Sequence, residues 1–432
     1  MTALAADRMQ GSAYDRASIP LFVIVGVFTA AYLSWRPSID LMFTVSDACL
    51  LLGLMQLLLR DRLPLQPLGV ISPLWFSGFM LMTGALLMSS LFISSDPTRW
   101  LPVAVQYSMA WVIMPFLLMG YSIGDTHRLA RIYLAGVVTM ELVGIIVYFT
   151  FTGSFEDARA ILGLDFISGS GRLGAFATDA NWNGATVTMT LPFAFYLWSR
   201  RLIGPWQGML SIGILVFALT LTASFTAFAA SCAGLLLLLL ANGVRIRPGS
   251  ASYALAMLLG VSSVSIGVLG LPPVFQKRVA SAIETGNLDE AGTFEGRMSL
   301  IEDAWNRVGD RMWLGVGVDQ DRVVSSMRAP VHSMYLLLWV EGGFVSLLGW
   351  LVMMAAGLSI AFAAFLRDRL SGALALTVLT SFLLFSTASP HMYARLWAVP
   401  VLLALAIALH SGEGALRRLA QWRLRRIYRN MK

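Results

Sequence analysis

The sequence predicts an all-α integral membrane protein of about twelve transmembrane helices, with two longer loops on one side, the second of them partly helical. Three observations carry this. Hydrophobic residues make up 57% of the chain and charged residues 13%, with a mean hydropathy of +0.72, far from the averages of soluble domains. Apolar runs long enough to cross hydrocarbon recur from end to end. Lys and Arg collect in alternate connections between those runs.

The first run, 19–35, follows Asp7, Arg8, Asp15 and Arg16 and shows no small-residue cleavage pattern after it, so it reads as a retained signal anchor. Further runs of spanning length cover roughly 39–59, 68–93, 100–120, 129–152, 183–199, 207–222, 226–243, 252–270, 343–366, 370–388 and 394–410. Between Thr222 and Thr226 a nearly unbroken apolar region must hold a tight turn. If the N-terminus is inside, the inner connections carry the pairs Arg8/Arg16, Arg60/Arg62, Arg128/Arg131, Arg200/Arg201, Arg245/Arg247 and Arg367/Arg369. In the short outer connections Arg36, Arg99 and Arg395 stand singly, as the positive-inside rule expects. Both termini are then cytoplasmic, and 1–432 forms one polytopic unit. The tail, 412–432, with Arg417, Arg418, Arg423, Arg425, Arg426, Arg429 and Lys432, reads as a basic amphipathic helix on an anionic leaflet.

The net charge of +7 is dispersed among short connections, which argues against a nucleic-acid partner. Cys49 and Cys232 lie inside apolar runs, so they form neither a disulfide framework nor a Cys/His metal cluster. Two outer segments break the short-loop pattern, 153–181 and 271–333. They hold Arg159, Arg172, Lys277, Arg278, Arg297, Arg307, Arg311, Arg322 and Arg328, a cationic patch that suggests an anionic ligand beside the bilayer. Nearby acids offer ordinary pairing for some of these, notably Arg307 and Arg311. In the same loop the recurrence of Met298, Ile301 and Trp305 predicts a helix over 294–308 with Ile301 and Trp305 buried. His332, one of four histidines, stands where the polar loop gives way to apolar sequence.

Three patterns lack the context their usual chemistry needs. Gly169, Gly171 and Gly174 fit a dinucleotide-type glycine spacing, but no βαβ pattern surrounds them, and a turn that lets backbone approach a ligand is the better reading. Asp319 and Asp321 have the spacing of a metal-holding acidic pair without a strand before it, so no metal site is expected. Asp47 and Glu141 fall within apolar runs, where acids mark either function or pairing between helices.

Two stretches resemble the bacterial O-antigen ligase and polysaccharide polymerase superfamily. One is Arg172-Leu-Gly174-Ala-Phe176-Ala-Thr-Asp179-Ala-Asn181, similar to the family's Arg-x-x-Gly-x-Phe ending in Asn at a helix start. The other is Gly296-Arg297, Trp305, Gly315-Val-Gly317, His332, Tyr335, Glu341 and Gly342-Gly343, which looks like the family's Arg, Trp, Gly-x-Gly, His and Glu-Gly series. The chain departs from the pattern at Ser333, where the family has Asn, and at Ser224-Phe225, where it has Ser-Arg.

The resemblance implies a GT-C-like membrane glycosyltransferase in the bacterial inner membrane, with its active site in the large periplasmic loop. The donor would be an undecaprenyl-pyrophosphate-linked oligosaccharide and the acceptor a glycan or the lipid A core. The enzyme would be inverting and metal-independent, with no cofactor. Membrane lipids and other polysaccharide export proteins are the expected partners. Pyrophosphate as leaving group calls for fixed cations, and arginine forks match its oxygens, so Arg172, Arg297 and Arg278 form the expected clamp. Lys277 or Arg278 would substitute for the arginine replaced by Phe225. Asn181, Tyr335, Glu341 and Arg328 complete the expected substrate contacts. His332 is the expected base for the acceptor hydroxyl, kept neutral by surrounding arginines. A polymerase acting on a second lipid-linked repeat is expected, with a ligase as the alternative. A transporter using Asp47 and Glu141 is the reading from another class, against which stands the lack of an internal repeat.

Overall fold

The computed structural model describes residues 19–34, 43–60, 63–163, 165–242, 273–287 and 294–411. The expected crossing 252–270, the tail 412–432, the leading charges to Arg16, and Arg36, Arg62, Arg245 and Arg247 lie outside them. The described chain is helical, with one isolated bridge between Ile167 and Leu173. Its helices are α1 (Leu21–Phe28), α2 (Val45–Leu58), α3 (Ser72–Phe92), α4 (Pro97–Leu118), α5 (Ile123–Thr150), α6 (Phe155–Leu162) and α7 (Ala180–Ser199). There follow α8 (Pro205–Thr222), α9 (Phe225–Asn242), α10 (Phe294–Asp310), α11 (Met334–Arg367), α12 (Arg369–Ser386) and α13 (Arg395–His410).

Among the described residues six helices are long and apolar enough to cross a membrane, α3, α4, α5, α8, α11 and α12, with α2, α9 and α13 shorter and apolar. Together with the composition they make this a membrane protein. Polar caps set where several of them start. Thr44 and Asp47 close a capping box at α2, Ser122 accepts from the Asp125 amide at α5, and Asp179 accepts from two amides at α7. The tight turn expected near Thr222 is there, with Ala223 at φ 44° between α8 and α9.

The core gathers around α7 and α13, which bury nearly every residue and so need apolar or small side chains on all faces. Rings of Trp75, Trp111, Trp350, Phe382 and Trp397 interlock beside α13. Buried indoles need acceptors, and the N–H groups of Trp75 and Trp111 donate to the Trp111 and Met392 carbonyls at 2.8 and 3.0 Å.

Two acids within apolar runs have protein partners. Asp47 Oδ1 lies 2.6 Å from Arg395 Nε, both side chains almost fully buried. Asp47 also sits in the first turn of α2, as a cap. Glu141 accepts from Asn183 Nδ2 at 3.2 Å, joining α5 to α7.

In α10 the buried residues are Leu300, Ala304 and Val308, while Trp305 is 58% exposed and Met298 52% exposed. Ile301 is half-buried against the same cluster as Ala304 and Val308, so the expected face fails at Trp305 and not at Ile301. Spacing of three and four is shared by both stripes, and the smaller Ala304 is what lets the helix lie close to Val331, Leu337 and Val340.

Candidate functional site at the inter-helix loops

The site begins with a turn. Gly171 N–H donates to the Ser168 carbonyl at 2.8 Å and φ is 76° at Gly171, so the glycine pattern here builds a reversal. The reversal presents Arg172. Its Nε donates to the Thr222 carbonyl at 2.8 Å, and an Nη donates to Asn181 Oδ1 at 2.7 Å. Ser224 Oγ donates to the same Asn181 oxygen at 3.1 Å. One guanidinium thus fastens the first loop to the start of α7 and to the turn between α8 and α9.

Phe225 completes the opposite wall. With Ala223 and Phe228 it packs on Val274, Phe275 and Val279, seating the helical turns of 273–285 over the α8–α9 turn. Arg278 is thereby brought beside Arg172. Burial, then the neighbouring charges of Arg278 and Arg297, bring the Arg172 pKa down to about 10, with Asp179 acting in the opposite direction. Arg278 is lowered by burial and then by Arg297. Arg297 Nε is buried with no hydrogen-bond partner among the described residues.

His332 joins this group from the other end of the large loop. Burial first and Arg297 second lower its pKa, while the Pro330 carbonyl and Asp179 act against them. Its Nδ1 is 3.2 Å from the Pro330 carbonyl. A carbonyl only accepts, so the ring proton belongs on Nδ1 and the Nε2 lone pair is left for an incoming proton.

Lys277 and Arg328 are exposed. Tyr335 donates to the Leu383 carbonyl at 3.1 Å and ties α11 to α12. Glu341 is 4% exposed and lies beside the backbone of Asp319 and Asp321.

Glu341 belongs to a junction that accounts for both glycine pairs. The backbone of α11 breaks at Gly343, with φ 76° and ψ 178°. The break frees the carbonyls of Val340 and Glu341, which accept from Val316 and Gly317 at 2.8 and 2.9 Å, while the Phe344 amide donates to Met312 at 2.9 Å. A Cβ at Gly343 would strike the Trp313 carbonyl, and one at Gly315 the Val340 carbonyl. Glycine is required because two backbones touch.

Asp319 and Asp321, the candidate metal pair, enter separate ion pairs. Asp319 binds Arg99 and, at 2.6 Å, Arg322. Asp321 is fully buried. Its Oδ1 is 2.5 Å from Arg307, and its Oδ2 accepts from the Val331 amide at 2.7 Å, next to His332. Arg307 also holds Asp303 at 2.7 Å. Asp321 therefore joins α10, which carries Arg297, to the strand of chain that carries His332. Sequence reasoning missed this role, since nothing local to Asp321 indicates a partner fourteen residues earlier. Asp179 stands just before an apolar run, the position of a helix cap, and that is the signal by which sequence could identify it.

The fold and site define an all-helical membrane protein whose inter-helix loops converge on a cationic, histidine-bearing centre. Residues 210–351 match the family model described as O-antigen ligase, which supports the O-antigen ligase and polymerase superfamily for this chain. The matched region holds the α8–α9 turn, Arg278, Arg297 and His332, and leaves Arg172 and Asn181 before it. Members of that family are glycosyltransferase-like enzymes that act on a lipid-linked glycan and an acceptor. No curated protein matches the chain.

Proposed function

We propose that this protein transfers a glycan from undecaprenyl pyrophosphate to an acceptor hydroxyl at the periplasmic face of the bacterial inner membrane, with both of its own termini cytoplasmic. The observation that carries the reading is the convergence of Arg172, Arg278 and Arg297 beside His332, with Asp179 acting against the clustered charge at Arg172 and His332. Such a group is costly to assemble without an anion. A pyrophosphate supplies that anion, and as it leaves, the electron pair of the breaking C–O bond settles on a phosphate oxygen facing the guanidinium forks.

The acceptor oxygen attacks the anomeric carbon as that bond breaks, and its proton passes to His332 Nε2. Direct attack inverts the anomeric centre. A product retaining configuration would count against the mechanism. Arg278 serves in place of the arginine that Phe225 replaces, since Phe225 packs against the segment that positions it. The proposed reaction needs no divalent cation, because the arginines meet the leaving charge and Asp319 and Asp321 are engaged by other arginines. Product formation should survive a chelator. Complete loss, with recovery on adding magnesium or manganese, would overturn that step.

Within this reaction we favour a polymerase, with a second lipid-linked repeat as acceptor, on the departure at Phe225. Membranes holding the protein and lipid-linked repeat units alone should then yield a ladder of longer glycans. A product that forms only after lipid A core is added would establish the ligase, the activity that the matched family's description names.

A further inference from the structure

We propose that α10 and the segment after it seat an aromatic shelf in the lipid headgroup region, so that the bilayer leaflet on that side is a direct binding partner of the loop carrying Arg297. The proposal is independent of the glycan-transfer reading.

α10 has three differently employed sides. Ala304 and Val308, with Ile301 half-buried beside them, pack on Val331, Leu336, Leu337 and Val340. Asp303 and Arg307 are tied to Ser325 and Asp321 of the following loop. The outward side carries Met298 and Trp305, both more than half exposed, with Glu302 exposed between them at helical spacing. A side that mixes a thioether, an indole and one carboxylate suits a neighbour that is apolar at one level and wet at the next.

Continuity with the membrane-crossing helix identifies that neighbour. The Trp305 ring meets Trp339 edge-on at 5.7 Å, Trp339 meets Phe344 at 5.7 Å, and Phe344 meets Trp313 at 5.9 Å. Trp339 and Phe344 belong to α11, on which Leu348 and Leu351 are exposed further along. Trp339 Nε1 donates to the Met312 carbonyl at 3.1 Å, fixing the segment that presents Trp313, itself 63% exposed. Among the described residues the indole N–H groups of Trp305 and Trp313 have no acceptor. Exposed rings joined to a lipid-facing helix have the chemistry of interfacial tryptophans, apolar over the ring and polar at the N–H. The shelf would set the height of Arg297, which adjoins Met298, relative to the headgroup phosphates.

The test places single nitroxide labels in a cysteine-free protein, with Cys49 and Cys232 replaced, in nanodiscs of phosphatidylethanolamine and phosphatidylglycerol. Labels at Met298→Cys, Trp305→Cys and Trp313→Cys should relax more readily with oxygen than with a water-soluble nickel complex. Labels at Ser299→Cys and Asn306→Cys, exposed on the side turned away from Trp305, should show the reverse. If the first three match Ser299→Cys and Asn306→Cys, the shelf stands in water and the proposal fails. Shielding of the three from both reagents would mean that protein covers them, and it fails equally. A check free of cysteine replacement uses lipids brominated near the headgroup. Their quenching of tryptophan fluorescence should fall in Trp305→Phe, and unchanged quenching would also overturn the proposal.

Discussion

Arg297 and Arg307 lie on one helix, yet they meet opposite surroundings. Arg307 is neutralised twice, by Asp303 and Asp321, within a group that also pairs Arg99 and Arg322 with Asp319. Arg297 faces Arg172, Arg278 and His332, and none of the ion pairs among the described residues includes it. The first group fastens a loop. The second holds like charges together against their repulsion, which ordinary folding would avoid and which an anionic ligand would relieve. Their difference separates a structural cluster from a candidate binding site more sharply than the number of arginines in the loop could.

The comparison breaks most severely at His332. His332→Ala should lower turnover by roughly a hundredfold to ten-thousandfold while leaving donor binding in place, because only proton acceptance is removed. A glycan-transfer assay beside a donor-binding measurement reads both, and near wild-type turnover in a well-folded variant would pass the base role to His391. That ring is held down to about 4 by burial, against the field of Asp319.

Asp321→Ala should act on stability instead. It leaves Arg307 with Asp303 alone and the Val331 amide without an acceptor, at a cost of about 3–5 kcal/mol typical of breaking a buried pair. Thermal unfolding in detergent measures this, and a loss of activity with no loss of stability would instead give Asp321 a part in the chemistry.

Arg297→Gln should do the converse. Among the described residues no carboxylate loses its partner, so the unfolding temperature should hold or rise, while donor binding weakens by about tenfold to a hundredfold. The pH profile sharpens the same contrast. A base works when neutral, and burial together with Arg297 keeps the His332 pKa below the ordinary histidine value. Activity should persist as pH falls through about 6.5 and be lost only on the acid side of it. Without the Arg297 charge the limb should move up towards that value, and an unmoved limb would show that the two residues do not share a site.

Arg322→Ala should matter least. Its pair with Asp319 is partly exposed and Arg99 remains, so about 1 kcal/mol or less is at stake and turnover should be nearly unchanged.

Much of this comparison was already legible in residue order. His332, Arg297, Gly315, Gly317, Glu341 and Gly343 were singled out together, and the structure draws most of them into one junction. Their individual duties were not legible. Glu341 reads from sequence as a substrate contact, and only the structure shows it buried beside the backbone of Asp319 and Asp321. Trp305 reads as core and is exposed, because two stripes on α10 share helical spacing and only the partner surface selects between them.

The sequence by itself determined that this is a membrane protein, where most helices run, and which loops collect charge. Those properties are sums over neighbouring residues, and hydrocarbon enforces them locally by penalising every exposed backbone amide and charge. The tertiary structure alone decided which arginines are neutralised. Arg99 and Asp319 are 220 residues apart and Arg395 finds Asp47 across most of the chain. Coulomb energy depends on distance in space, and no window along the sequence contains that distance.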